Sequence, residues 1–272
     1  MNYLFITNKP EIAAFVEHCG VTRIFLDLEV MGKLDRQGHL DSVISQHSIT
    51  DVRPIKSVLQ TAKLMVRINP LHDSSQKEID DVISSGADII MLPMFQSAEE
   101  VKIVGDMIDG RAMFIPLVET YNAAMEINDI HDIESVDEIH IGLNDLHLDM
   151  KLKFMFQLLS NGFIDEIISQ LTKPFGIGGI ARLGEGIIPA DYVLAEHVRL
   201  KSSAVILSRA FHLRSQSLAE LCSNIDLKTE IDKLNQQLEV LNKKSEYEIN
   251  EIHDEFKILV ENYLRPVNET II

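Results

Sequence analysis

The sequence predicts an α/β protein, a (β/α)8 TIM barrel followed by a long helical segment, and three observations support this fold class. Eight short apolar runs alternate with amphipathic stretches over residues 1–211, the number of strands that such a barrel requires. The runs are rich in Ile, Val, Leu and Phe without strict alternation, as expected for parallel strands buried on both faces. The 272-residue chain is 46% hydrophobic, enough for one large core.

The predicted elements follow one another at regular intervals. The strands cover residues 3–7, 23–28, 63–68, 89–92, 112–118, 138–143, 175–180 and 204–208. Helical patterns between them include residues 10–19, 51–61, 75–85, 98–108 and 189–200, and a further stretch begins near Tyr121. An open doubly wound sheet is the alternative, but the first turn, Asn8-Lys9-Pro10, has no GxGxxG pattern.

Charge and cysteine content exclude several classes of protein. A net charge of −17 argues against nucleic acid or an anionic membrane as a partner. Cys19 and Cys222 are far apart and form no CxxC motif, so neither structural zinc nor a disulfide framework is expected. The N-terminus does not resemble a signal peptide, and no run has the length of a membrane span. We therefore expect a cytoplasmic protein.

Residues 226–263 contain no glycine or proline and carry many charges. Apolar residues recur there at heptad spacing, and after a break at Ser245 the stripe resumes: Leu227, Ile231, Leu234, Leu238, Leu241, then Ile249, Ile252, Phe256, Leu259 and Tyr263. The pattern favours a projecting coiled coil or helical hairpin that joins copies into a homo-oligomer and ends at Pro266. The alternative is an amphipathic helix lying on the barrel. We divide the chain into a barrel domain, 1–215, and a helical extension, 216–272.

Two carboxylates follow the fifth and sixth predicted strands. Glu119 comes directly after residues 112–118, and Asp145 comes shortly after residues 138–143. Because parallel neighbouring strands end at the same edge, both side chains are expected at the C-terminal mouth of the barrel, where they can bind a hard cation such as Mg2+. The alternatives are a helix N-cap for Asp145 and a solvated Glu119.

Arg67 lies in the strand-like run LMVRIN, where a buried guanidinium is costly unless an anion pairs with it. A carboxylate of the protein is one solution. A substrate carboxylate is the other, since the planar guanidinium matches its geometry.

These residues belong to a series of motifs that resembles a known family. LDLE, VRIN, ADIIMLPMFQSAEE, ETYNAA and GLNDLHLD follow one another within residues 26–211, in the order and spacing of the HpcH/HpaI aldolase and citrate lyase β-subunit family. Its members are metal-dependent lyases of the phosphoenolpyruvate/pyruvate barrel superfamily. The resemblance implies a carbon–carbon lyase or aldolase in which a metal-stabilised enolate forms from an α-oxo acid.

The resemblance also implies a role for individual residues. Glu119 and Asp145 match the ligands of Mg2+ or Mn2+. Arg67 matches the arginine that holds the carboxylate and oxo oxygen of a pyruvate- or oxaloacetate-like substrate. Glu29 matches an acidic residue that helps to organise the metal site.

Two positions depart from the family pattern. Val30 stands where the family usually has aspartate or histidine, and Leu117 stands where aldolase-like members often have glutamine. The first change removes a candidate group for proton transfer. We consider His147 and His47 as replacements; the alternative for each is a solvated loop histidine.

The segment after the seventh predicted strand suggests a second anion site. Gly178 and Gly179 permit close approach of a ligand to the backbone, and Arg182 and Arg209 fall in the two loops where barrels often bind phosphate. The alternative is tight strand–helix packing, with arginines paired to local carboxylates such as Glu185. This segment also resembles HpcH/HpaI-like proteins associated with bacterial surface-polysaccharide genes.

Three functions remain open at this stage. The first is the metal-dependent lyase or aldolase, with a small oxo acid as substrate. The second is hydrolysis or phospho-transfer on a phosphoenolpyruvate-like substrate, which the loss of an acidic group at Val30 favours. The third is a non-catalytic binding or scaffold protein that assembles through the C-terminal helix.

Overall fold

The computed structural model describes residues 1–31 and 47–265, and in this part of the chain eight parallel strands close into a barrel. Each strand pairs with the next, and the last pairs with the first. The strands are β1 Asn2–Ile6, β2 Arg23–Asp27, β3 Lys63–Arg67, β4 Ile89–Leu92, β5 Met113–Val118, β6 Ile139–Ile141, β7 Phe175–Ile180 and β8 Ala204–Leu207. The predicted fold class is confirmed: β4 and β7 have the predicted bounds, and the others differ by one or two residues.

Side chains at alternate strand positions fill the interior of the barrel. Leu4, Phe25, Met65 and Met91 belong to one buried cluster inside the ring. At the N-terminal end of the barrel, Arg23 donates to both oxygens of Glu138 at 2.7 Å. The buried charges of Arg23 and Glu138 therefore neutralise each other at the N-terminal end of the barrel. They are separate from the polar groups near the C-terminal ends of the strands.

Helices surround the strands and turn their apolar faces towards the sheet. They are α1 Pro10–His18, α2 Val52–Val58, α3 Ser75–Ser84, α4 Ala98–Ile108, α5 Tyr121–Met125, α6 Ile127–Asp132, α7 Leu143–Asp149, α8 Gln157–Ser160, α9 Phe163–Ile168, α10 Ala190–Arg199, α11 Leu218–Asn224, α12 Leu227–Leu241 and α13 Glu246–Leu264. Within residues 1–31 and 47–265, no helix is both long and apolar enough to cross a membrane.

The C-terminal helices lie on the barrel, so the interpretation as a projecting coiled coil is wrong. Helix α12 packs against α10 and reaches the end of α1, where Ile231 lies beside Gly20. The hydroxyl of Tyr3 is 2.9 Å from Oδ1 of Asn235. The helix therefore completes the ring of helices around the barrel, and its apolar stripe is buried for that reason.

Helix α13 covers a second gap in that ring. Only short helices connect β6 to β7, and α13 packs against α8 and α10. Phe256 lies beside Phe156, and Tyr263 lies beside Phe154 with ring centroids 4.2 Å apart. The barrel domain 1–215 and the extension 216–272 share one hydrophobic core over their described residues; Pro266, the predicted helix end, lies outside these residues.

Candidate active site at the barrel mouth

The backbone around Glu119 is fixed by the start of α5. The hydroxyl of Thr120 donates to the carbonyl of Phe95 at 2.9 Å and accepts the N–H of Ala123 at 3.2 Å. This N-cap sets the direction of the chain where β5 ends. Glu119 therefore leaves the strand at a defined position on the C-terminal mouth.

Two neighbouring strand ends hold the Glu119 side chain. Its Oε1 accepts the N–H of Met94 at 3.1 Å, and Met94 adopts a left-handed backbone with φ 53°. On the other side, a Cβ at Gly142 would lie 3.0 Å from Oε2, so glycine leaves room for the carboxylate. Glu119 is 3% exposed, and its alternative assignment as a solvated side chain is wrong.

Asp145 lies in the first turn of α7 and is half-buried. The N-cap of this helix is Gly142, not Asp145, so the alternative assignment of Asp145 as a cap is also wrong. Asp145 is close enough to Glu119 to raise the pKa of that carboxyl. The two predicted ligands therefore meet at the same end of the barrel.

Arg67 is enclosed by carboxylates of the protein. Its Nε and Nη2 donate to the two oxygens of Asp27, each at 2.9 Å, and Nη2 is 3.3 Å from Oε2 of Glu29. The guanidinium lies 5.5 Å above the centre of the Phe25 ring. Since Asp27 occupies the Nε/Nη2 edge, a substrate carboxylate cannot use that edge while this pair is intact. Nη1 takes part in none of these contacts.

The pKa values of Glu119 and Arg67 reflect burial together with the neighbouring carboxylates. Burial raises the pKa of Glu119 to about 8; Arg67 opposes the shift, while Asp145 and Glu29 add to it. The pKa of Arg67 is raised above its ordinary value, because Asp27, Glu29 and Glu119 outweigh the effect of its burial. The cluster would therefore be stabilised by an additional cation.

The donor set fits a hard divalent metal ion. Among the residues described, no group of three or more His, Cys, Asp or Glu side chains is arranged to hold a metal. Mg2+ commonly binds through one or two carboxylates and completes its coordination with water or substrate oxygens. Glu119 and Asp145 would supply those two carboxylates. Glu29, 1% exposed, lies 3.3 Å from Arg67 and is close enough to help raise the pKa of Glu119.

The two candidate groups for proton transfer have different surroundings. Nδ1 of His47 accepts the backbone N–H of Asp27 at 3.0 Å, directly beside the Arg67 cluster. Nδ1 of His147 is 3.2 Å from the carbonyl of Leu143 within its own helix. Val30 is 56% exposed, and Leu117 is buried in the barrel interior. Neither hydrocarbon side chain has a group that can transfer a proton.

Gly178 and Gly179 of β7, and Arg182 after it, make the contacts expected from the packing alternative. Gly178 has φ +43°, and a Cβ there would lie 3.0 Å from Leu143. Nη2 of Arg182 bonds both oxygens of Glu185 at 2.7 Å, although its Nε has no hydrogen-bond partner in the described part of the chain. A Cβ at Gly179 would lie 3.2 Å from a carbonyl oxygen of β8.

Arg209 lies at the mouth. Burial lowers the pKa of its guanidinium, and Asp27, Arg214 and Arg67 are close enough to influence that pKa. Because Asp27 also pairs with Arg67, its influence on Arg209 relates the end of β8 to the cluster around Arg67. An anion site that combines Arg209 with Arg182 stays a prediction.

Sequence reasoning missed three residues that hold the cluster in place. Asp27 lies in the predicted strand 23–28 and was given no role, although Arg23, Phe25 and Asp27 share one face of β2, so strand alternation places the Asp27 side chain inside the barrel. Met94 holds Glu119 through a hydrogen bond from its backbone N–H. Asn69, after β3, holds the loop after β2, since its Oδ1 accepts the N–H of Val30 at 3.0 Å. No local sequence pattern indicates the role of Met94 or of Asn69.

A family model, HpcH/HpaI aldolase/citrate lyase, matches residues 7–185. This is more than half of the chain, and it includes the strands β2 to β7. The protein therefore belongs to the HpcH/HpaI aldolase/citrate lyase family, which supports a lyase or aldolase function. No curated protein matches the sequence.

Solved structures with the same fold are distant in sequence. Citrate synthase SbnG is 18% identical with a TM-score of 0.59, covering 82% of this chain and 93% of its own. An HpcH/HpaI aldolase/citrate lyase family protein from Burkholderia cenocepacia J2315 is 13% identical with a TM-score of 0.60, covering 82% and 95%. RipC from Yersinia pestis is 14% identical with a TM-score of 0.56, covering 92% and 98%. At these identities the likeness concerns the fold alone.

Proposed function

We propose that the protein is a divalent-metal-dependent carbon–carbon lyase or aldolase acting on a pyruvate- or oxaloacetate-like α-oxo acid. The observation that carries the proposal is the meeting of Arg67 with the buried carboxylates of Glu29 and Glu119, beside Asp145, at one barrel mouth. Membership of an aldolase and citrate lyase family supports the reaction class.

The side chains divide the work of binding. Glu119 and Asp145 would hold Mg2+ or Mn2+, which would supply a Lewis acid for the oxo group of the substrate. Arg67 offers Nη1 to the substrate. Asp27 and Glu29 fix the guanidinium beforehand, so little reorientation is needed when the substrate binds.

Two histidines, His47 and His147, are candidates for the group that transfers a proton. His147 is the residue expected from the sequence, but its Nδ1 contacts its own helix. The contact of His47 with Asp27 favours His47, because it connects the ring to the residue that holds Arg67. Loss of activity in His47→Gln with full activity in His147→Gln would support this assignment, and the opposite pattern would overturn it.

Exchange of the pyruvate methyl protons in D2O tests the function without knowledge of the complete substrate. Exchange followed by NMR should require Mg2+ or Mn2+, stop with EDTA, and fall at least about 100-fold in Glu119→Gln, as expected when a metal ligand is lost. A screen for release of pyruvate or oxaloacetate from candidate oxo acids would then identify the substrate. Exchange that does not depend on a metal would contradict the proposal.

The exposed Val30 favours one alternative reaction. Hydrolysis or phospho-transfer on a phosphoenolpyruvate-like substrate does not need an acidic group at that position. Metal-dependent release of phosphate from phosphoenolpyruvate, without methyl exchange of pyruvate, would select this reaction. If the protein shows neither activity, a non-catalytic binding or scaffold role is the remaining hypothesis.

A further inference from the structure

Two successive backbone N–H groups after β2 bind one side chain from the loop after β3. Oδ1 of Asn69 accepts the N–H of Val30 at 3.0 Å and the N–H of Met31 at 3.1 Å. The side chains of Val30 and Met31 are 56% and 44% exposed, so their own burial contributes little to the position of this backbone. The two bonds to Asn69 therefore restrain this part of the loop.

Glu78 on α3 holds the amide of Asn69 in one orientation. Its Oε1 accepts Nδ2 of Asn69 at 2.8 Å and the backbone N–H of Asn69 at 3.2 Å. Because a carboxylate can only accept, the NH2 of the amide must face Glu78, and its oxygen is then left to face Val30 and Met31. Without Glu78 the amide is free to rotate, and the loop after β2 loses its acceptor.

His72 fixes the Glu78 carboxylate in turn. Nδ1 of His72 accepts the N–H of Ser74 at 3.1 Å, so the neutral ring carries its proton on Nε2. That nitrogen donates to Oε2 of Glu78 at 3.1 Å. The backbone N–H of His72 donates to Oγ of Ser75, the first residue of α3, at 2.9 Å. The Glu78 side chain is only 17% exposed, so water competes little for these bonds.

The restrained loop carries Glu29, which contacts Arg67. The N–H of Glu29 donates to Oδ1 of Asp27 at 3.3 Å, and the same oxygen accepts Nε of Arg67. The N–H of Leu28 donates to the carbonyl of Arg67 at 2.9 Å. Since Asn69 holds the backbone that follows, the Glu29 carboxylate is kept 3.3 Å from Nη2 of Arg67. Hydrogen bonds thus connect α3 with the residue proposed to bind the oxo acid.

We propose that Glu78 is a positioning residue for the oxo-acid site, which acts through Asn69 to hold Glu29 against Arg67. The assignment rests on the proposed function, in which Nη1 of Arg67 meets the substrate. Glu78 affects substrate binding because a guanidinium displaced by about 1 Å loses the alignment that its contact with a carboxylate requires.

Amide hydrogen exchange, resolved by residue with NMR, tests the connection without a substrate. In Glu78→Ala, the amides of residues 29–31 should exchange about 5- to 30-fold faster, because the loss of one or two hydrogen bonds shifts a local equilibrium by that factor. Asp80→Ala removes a carboxylate from the same helix, one that pairs with Arg111, and should leave these amides unchanged. Wild-type exchange at residues 29–31 in Glu78→Ala would overturn the proposal.

The kinetics of methyl exchange of pyruvate distinguish a positioning role from a loss of folded protein. A smaller folded fraction lowers the apparent kcat and leaves KM unchanged, because the molecules that remain folded have an intact site. With Mg2+ present, Glu78→Ala should instead raise KM for pyruvate at least about tenfold, and Asp80→Ala should keep the wild-type KM. A lower kcat with an unchanged KM in Glu78→Ala would assign Glu78 to folding alone and overturn the proposal.

A double-mutant cycle tests the route through Asn69. Asn69→Ala should raise KM by a factor similar to that of Glu78→Ala. The double variant should show little further change, because the carboxylate acts by holding that amide. Factors that multiply in the double variant would overturn this route.

The two proposals can fail separately. If the wild-type protein shows no methyl exchange, the lyase proposal fails, and amide hydrogen exchange still decides the connection from Glu78 to Glu29. Faster exchange at residues 29–31 in Glu78→Ala, but not in Asp80→Ala, would support that connection; equal rates in the two variants would overturn it. If the wild-type protein shows methyl exchange and Glu78→Ala keeps its KM, only the positioning role fails.

Discussion

At the scale of single residues, Glu119 connects the stability of the protein to pH. Its pKa is about 8 in the folded protein and 4.5 as an ordinary carboxyl. The folded state therefore keeps a proton that the unfolded state has already lost between these values. Its contribution to stability is fully present below pH 4.5 and is lost as the pH rises through about 8.

We expect Glu119→Gln, which cannot ionise, to gain stability relative to the wild type as the pH rises from 5 towards 9 in EDTA. Urea unfolding at a series of pH values measures this difference. Glu99→Gln, at an exposed position at the start of α4, is the control and should show no such trend. A difference between Glu119→Gln and the wild type that stays constant with pH would contradict the assigned burial effect.

Arg67 has a structural role in addition to the proposed contact with substrate. An ammonium group cannot reproduce the paired bonds from Nε and Nη2 to Asp27. We expect Arg67→Lys to reduce activity by about 100-fold or more, and to lower the free energy of unfolding by about 1–3 kcal/mol, the usual cost of weakening a buried charged hydrogen bond.

The measurement combines methyl exchange of pyruvate with urea unfolding. Arg53→Lys, at an exposed position of α2, is the matched control and should alter neither quantity. Wild-type exchange rates in Arg67→Lys would exclude a substrate contact through this guanidinium.

At the scale of elements, buried histidines on β6 and α10 make the fold sensitive to acid. Burial lowers the pKa of His140 to about 4 and that of His197 to about 3, from 6.5. The unfolded state binds these protons first, so the stability contribution is present above pH 6.5 and is lost as the pH falls through about 4 and about 3.

We expect the free energy of unfolding to fall between pH 6.5 and 4, and to fall less steeply in His140→Gln. The substitution keeps a side-chain N–H that can donate to the carbonyl of Gly178, as Nε2 of His140 does at 3.4 Å. His18→Gln, at the exposed end of α1, is the control and should keep the wild-type slope. An identical slope in His140→Gln would exclude His140 as a source of this pH dependence.

The C-terminal helices contribute to the barrel core. Leu234 on α12 is fully buried, whereas Val240 on the same helix is 51% exposed. We expect Leu234→Ala to lower the free energy of unfolding by about 2–5 kcal/mol through loss of transfer energy and creation of a cavity. Val240→Ala should change it by less than about 0.5 kcal/mol. Thermal or urea unfolding measures both, and equal effects would indicate that α12 does not pack as described.

At the scale of the whole molecule, the apolar stripe of α12 and α13 is buried against the barrel, and this changes the expectations drawn from the sequence. Because α12 and α13 belong to the shared core, a chain truncated after Asn224 should fail to fold stably. The stripe also no longer requires a partner helix. A homo-oligomer formed through the C-terminal helix stays a prediction, to be tested by light scattering of the full-length protein.

The candidate site was only partly predictable, for a physical reason. Glu119, Asp145 and Arg67 follow or end buried strands, and parallel strands must end at one edge of the barrel, so their positions could be inferred. The partners of Arg67 could not, because the contact with Asp27 joins residues 40 positions apart. The packing of Leu143 on Gly178 likewise depends on how α7 meets β7.

The sequence by itself determined the number and order of the strands and the longer helices between them, because a strand buried on both faces or an amphipathic helix leaves a local pattern of apolar residues. It also indicated that Glu119, Asp145 and Arg67 lie at the mouth, but not Asp27. Only the tertiary structure decided which groups pair there, how far burial shifts the pKa of Glu119, and which surface covers α12 and α13. Those outcomes depend on contacts between distant segments, such as Tyr3 with Asn235, and the pattern of an apolar stripe is the same whether a partner chain or the protein's own barrel buries it.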